Sequence, residues 1–104
     1  MLLMDRQNLH APGWSHVVSL SNDLSELEAF RERVGAPIRA FHLKNPKRPH
    51  LDLRGEARER ALACEDVMVF ERTVDLVRYW KAWRDMAGAG AELQDGAAAP
   101  WERE

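Results

Sequence analysis

The chain of 104 residues has a single cysteine, Cys64. One thiol closes no intramolecular disulfide and supplies no Cys-x-x-Cys zinc site, and it suits a reducing compartment, so a cytoplasmic location is expected. Long apolar runs are lacking too. A membrane-spanning helix needs roughly 20 consecutive apolar residues, whereas the opening Met1-Leu2-Leu3-Met4 meets Asp5 and Arg6 at once. Neither a membrane span nor a secretory leader is expected. There is no Gly-x-x-x-x-Gly-Lys-Ser/Thr loop, which argues against a Walker-type nucleotide site. No Gly-x-Ser-x-Gly elbow surrounds Ser15, Ser19, Ser21 or Ser25, which argues against a serine nucleophile. The four histidines include no His-x-His or His-x-x-x-His pair, so any metal site has to be assembled by the fold rather than by local spacing.

What is present is the material of one compact α/β domain. Hydrophobic residues make up 45% of the chain, enough for one core at this length. Residues 1–86 read as that domain. Residues 87–104, an Ala-rich stretch broken by Gly88, Gly90, Gly96 and Pro100, read as a low-complexity tail with little to pack. The net charge of −2 is unevenly spread. Between Arg39 and Arg60 seven cations face three carboxylates, giving +4 locally and −6 over the rest of the chain. A basic middle in an acidic chain points to an anion site, or to solvated helix and loop charges, rather than to coating of duplex DNA.

Leu2 to Met4 reads as a strand closed by Asp5, and Pro12-Gly13 marks the turn before a second strand, Trp14 to Leu20. Asp23 sits three residues before Glu26, the spacing of a capping box, and Leu24, Leu27, Phe30 and Val34 follow at helical intervals until Gly35 and Pro37. Ile38 to Leu43 reads as a third strand, leading into an extended basic loop from Lys44 to Pro49. A helix follows from about Gly55 to Cys64, then a strand buried on both faces at Val67 to Phe70, then a helix from Thr73 with Val74, Val77, Trp80 and Trp83 on its apolar side. The order β-β-α-β-α-β-α predicts an at least partly parallel sheet of about four strands with helices packed on it. Polar sites in such sheets lie beyond strand C-termini, where Asp5 and His42 fall.

Trp14-Ser15-His16, the helix Leu24 to Phe30, the segment Gly35 to Phe41, and Pro49-His50-Leu51-Asp52-Leu53 form an ordered set. It resembles a family of short bacterial and bacteriophage proteins catalogued as a domain of unknown function, number four-zero-three-one. Asp5, Trp14, His16, Phe30, Gly35, His50, Asp52 and Arg58 carry the resemblance, which covers Leu2 to Val77. Leu51 stands where that family prefers Tyr, Arg54-Gly55-Glu56 replaces a Thr-Pro-Ser type cap, and Cys64-Glu65-Asp66 replaces a Leu-Gly-Ala type ending. The resemblance implies a shared fold and a phage-related lineage, and brings no assigned activity with it.

The chemistry-bearing residues are Asp5, His16, His42, His50 and Asp52, since imidazole and carboxylate together bind a divalent metal or run acid/base chemistry. His16, His50 and Asp52 are the candidate catalytic groups, and Asp5, His16 and His42 the candidate metal ligands. Asp5 and Asp52 have two roles open to them, to hold metal or to orient histidine. In an extended segment His50 and Asp52 share a face, although Asp52 is also placed to cap the following helix. Lys47, Arg48, Arg54 and Arg58 are candidate phosphate-binding residues, guanidinium being suited to bidentate contact with phosphate oxygens. These assignments describe a protein that binds a phosphate-containing ligand, with metal-assisted hydrolysis as the candidate reaction. The competing expectation is a non-enzymatic accessory protein that binds a partner such as a host protein through Tyr79 and Trp83 of the last helix. Trp80 is expected in the core.

Overall fold

The computed structural model describes residues 1–9, 11–42 and 49–86. Five strands form one mixed sheet in the order β3-β4-β2-β1-β5. They are β1 (Leu2–Gln7), β2 (Trp14–Ser19), β3 (Phe41–His42), β4 (His50–Arg54) and β5 (Val67–Arg72), accompanied by helices α1 (Leu24–Val34), α2 (Gly55–Leu62) and α3 (Thr73–Met86). Only β1 and β5 run parallel; β1 with β2, β2 with β4, and β3 with β4 are antiparallel.

Strand alternation sorts the side chains into two layers. On one face Leu2, Met4, Val17, Leu51, Leu53 and Val67 pack with Leu27, Phe30 and Val34 of α1 and Ala61 of α2. On the other, Leu3 and Val18 pack with Leu76, Val77 and Trp80 of α3. α3 lies on β1 and β5. The part of the same face made by the Trp14–His16 end of β2, by β4 and by β3 carries the histidines instead.

α1 forms where the capping residues place it. The Asp23 carboxylate accepts from the Ser25 and Glu26 backbone N–H groups, and Gly35 ends the helix in the left-handed region at φ 74°. Glu26 does not complete the box: it takes the Ser19 hydroxyl at 2.8 Å and the N-terminal ammonium at 2.8 Å, tying α1 to β2 and to the start of β1.

Several elements differ from the sequence expectation. β1 continues through Asp5 to Gln7, because the carboxylate is satisfied inside the sheet rather than at a strand end. Ile38–Ala40 is a 3₁₀ turn and β3 keeps only Phe41 and His42. His50–Arg54, which the expected element order lacks, is a strand pairing with both β2 and β3. Its five residues are too few for a periodicity that separates strand from loop, and its pairing with β2 is long-range. β5 is an edge strand with Met68, Val69 and Phe70 half-buried, not a strand buried on both faces. On α3, Leu76, Val77, Trp80 and Arg84 face inward while Val74 and Trp83 are exposed. The loop residues Lys44, Lys47 and Arg48, and the tail from Ala87, lie outside the described residues.

Candidate metal and acid/base site

The register brings five separated residues together. His16 of β2 faces Asp52 of β4, and His50 of β4 faces His42 of β3. Extending the β1–β2 register beyond Met4↔Val17 by one residue places Asp5 beside His16. All five project from the face that carries α3: Asp5 and His16 stand two residues from Leu3 and Val18, which pack there, and His42, His50 and Asp52 alternate with Phe41, Leu51 and Leu53, which pack on the opposite face. The site therefore sits on the sheet face, not beyond the strand C-termini.

Asp5 is wholly buried and its oxygens are occupied: it accepts from the His16 backbone N–H at 2.6 Å, from His16 Nδ1 at 2.7 Å and from the Thr73 hydroxyl. A carboxylate accepts, so Nδ1 is the donor of this pair and Nε2 is the ring nitrogen directed away from Asp5. That nitrogen faces Asp52 Oδ1 at 3.9 Å. Of the two roles open to Asp5, its contacts are those of an orienting group and not of a ligand.

Asp52 stands at the centre of the histidines. Its Oδ2 is 2.9 Å from His42 Nε2 and its Oδ1 3.5 Å from His50 Nε2. The His42 and His50 rings stack with centroids 5.1 Å apart and an interplanar angle of 7°, and His50 meets His16 edge-on at 5.8 Å. One ligand atom from each of His42, His50 and Asp52 lies within 4.8 Å of the others. Around a tetrahedral ion with bonds of about 2.1 Å, ligand atoms stand about 3.4 Å apart; the His50–Asp52 Oδ1 separation has that size, whereas His42 meets the other oxygen, Oδ2, at hydrogen-bond distance, so the three side chains adjust by about an ångström to share one ion. Side-chain exposure rises from 0% at Asp5 through 6% at His16 and 15% at His50 to 39% at His42, so the cluster opens from the core outward.

The cations divide. Arg54 lies on the site face, its guanidinium carbon 5.0 Å from the centroid of the Trp14 ring, and Trp14 and Arg54 are cross-strand partners. Arg58 is not brought to the histidines. From α2 it donates to the Ser15 hydroxyl at 2.9 Å and to the Arg6 carbonyl at 2.7 Å, and Ser15, next to His16 in the strand, points to the opposite face. Asp52 does not cap α2: the capping position belongs to Arg54, with no side-chain hydrogen bond. Lys47 and Arg48 lie outside the described residues. Tyr79 and Trp83 are exposed on α3, with the Tyr79 ring 5.4 Å from Phe70.

Sequence reasoning missed two members of this neighbourhood. Thr73 reaches Asp5 only because α3 starts where β5 ends beside β1, for which no local pattern exists. Trp14 stood out only as part of a motif, and its place two residues before His16 in the same strand, hence on the same face, was the signal available. Comparisons with protein-family models, with curated proteins and with solved structures return no match. Among the described residues no helix is long and apolar enough to cross a membrane.

Proposed function

We propose that this protein is a metal-dependent hydrolase acting on a phosphate-bearing ligand, with His42, His50 and Asp52 holding the ion and His16 serving as the acid/base group. The observation that carries the reading is the convergence of a three-residue ligand set with a histidine whose Nδ1 is anchored on a buried carboxylate. Three protein ligands leave coordination positions open, the arrangement that distinguishes catalytic from structural metal sites. Two imidazoles and one carboxylate favour zinc, manganese or iron over magnesium or calcium, which take oxygen ligands.

Such an ion polarises phosphate oxygens and acidifies bound water. The chain's own contribution is to position the proton acceptor. His16 Nε2 would take the proton of the attacking water as its oxygen bonds to phosphorus, and as the ester P–O bond breaks the leaving alkoxide would take a proton from solvent water and depart as the alcohol. Asp5 then stabilises the imidazolium, and Thr73 holds Asp5 in place.

The test is metal content by mass spectrometry on chelator-free protein, with hydrolysis of chromogenic phosphate monoesters and diesters measured on the same samples. About one zinc, manganese or iron per chain, lost in His50→Ala, together with hydrolysis that falls in His16→Ala while the metal stays, is the expected result. No metal after incubation with zinc or manganese overturns it and favours the second reading. In that reading α3 docks a protein partner through Tyr79, Trp83 and Met86, which follow one another at helical spacing and are exposed.

A further inference from the structure

One strand period from the His16–Asp52 pair, on the same face, stands the Trp14–Arg54 pair. The step between the two rows is about 6.8 Å, the scale on which a phosphate and the base of the same nucleotide are separated. Arg6, Arg31, Arg33, Arg60 and Arg72 each hold a carboxylate. Arg54, by contrast, is held by the Trp14 ring and has no carboxylate partner among the described residues. A guanidinium positioned by an aromatic ring keeps its N–H donors for an external acceptor, and the natural one is a phosphate oxygen. Trp14 is only half-buried although it is a large apolar side chain at the start of a sheet strand, and an indole beside a cation is a sequence-tolerant surface for stacking a base.

Resting on the metal-site reading above, we infer that Trp14 and Arg54 form a nucleoside-phosphate subsite: the phosphate-bearing ligand is a nucleotide, with its phosphate between the metal cluster and Arg54 and its base stacked on the Trp14–Arg54 pair. Asp52, the carboxylate nearest to this subsite along β4, is engaged with the histidines, so it does not neutralise Arg54.

Isothermal titration of the full chain, incubated with zinc, uses three probes: adenosine 5′-monophosphate, ribose 5-phosphate and orthophosphate. The nucleotide is expected to bind about tenfold more tightly than ribose 5-phosphate, the size of one stacking contact. Trp14→Leu abolishes that difference and leaves ribose 5-phosphate binding in place; Trp14→Phe restores part of it, which separates stacking from a folding defect. Arg54→Gln weakens all three probes, with zinc content unchanged in every variant. Equal affinity for the nucleotide and ribose 5-phosphate in zinc-loaded protein overturns the subsite and leaves the metal reading standing. Protein that loads no zinc overturns the metal reading, and the nucleotide preference with its dependence on Trp14, read in the same titrations, still decides the subsite.

Discussion

Replacing Asp5 is the sharpest perturbation of the site. The carboxylate is fully buried and answers two buried donors of His16, the backbone N–H and Nδ1–H, besides the Thr73 hydroxyl. Asp5→Ala leaves both His16 donors without their acceptor. At about 1–3 kcal/mol for each buried unsatisfied group, the loss is about 2–6 kcal/mol, a large part of the 5–15 kcal/mol typical of a domain's stability. Removing a buried anion recovers some desolvation energy, which places the expected value in the lower half of that range. Thr73 is only half-buried, so the loss of its contact adds little. Asp5→Asn keeps an acceptor for one donor only and should cost about 1–3 kcal/mol. It also offers an N–H where His16 Nδ1–H now points, which reverses the ring's tautomer and takes the lone pair from Nε2. Urea denaturation followed by tryptophan fluorescence measures both losses. Because Asp5 orients the acid/base histidine and not a ligand, hydrolysis by Asp5→Asn should fall about 10–100-fold with zinc content unchanged. An Asp5→Ala loss below about 1 kcal/mol would refute the account of Asp5 as the buried organiser of the site.

Three further outcomes are expected. Trp80, with no exposed surface, packs α3 on the sheet, so Trp80→Ala should lower stability by about 3–5 kcal/mol in the same assay. Asp23→Ala removes the acceptor for the Ser25 and Glu26 N–H groups and should cost about 1 kcal/mol; thermal melts showing no shift would deny the cap its role. The hydrogen bond from Arg31 holds the Glu28 carboxyl below its ordinary value, and that from Arg33 does the same for Asp66. A carboxylate depressed in the folded state contributes stability that is complete above about pH 5 and is lost as the pH falls through its folded pKa. Glu28→Gln and Asp66→Asn should therefore flatten the acid limb of the urea midpoint against pH, and an unchanged limb would contradict this.

Local chemistry was readable directly from the residues. The Asp23 cap, the Gly35 terminus, α2 from Gly55 and the packed Trp80 all follow from propensity, capping and 3.6-residue spacing, which act within a few neighbours along the chain. The choice of Asp5, His16, His42, His50 and Asp52 as the residues with chemistry to offer was equally local, because it rests on residue type alone: imidazole and carboxylate bind metals and exchange protons. The short strands were harder. β3 keeps two residues of the expected Ile38–Leu43 and the unexpected β4 has five, lengths at which alternation carries almost no signal, and an edge strand such as β5 reads in sequence like a buried one.

What the sequence by itself determined, then, is a mixed α/β domain and a set of candidate groups. The tertiary structure alone decided which of them meet. Pairing of β2 with β4 sets His16 opposite Asp52, pairing of β3 with β4 sets His42 opposite His50, and the same alternation sends Ser15 and Arg58 to the other face. A slip of one residue in either register would turn every one of these side chains over. Register is fixed by burying Leu51 and Leu53 against α1 and α2, contacts between segments far apart in the chain, and no local pattern around the histidines records them.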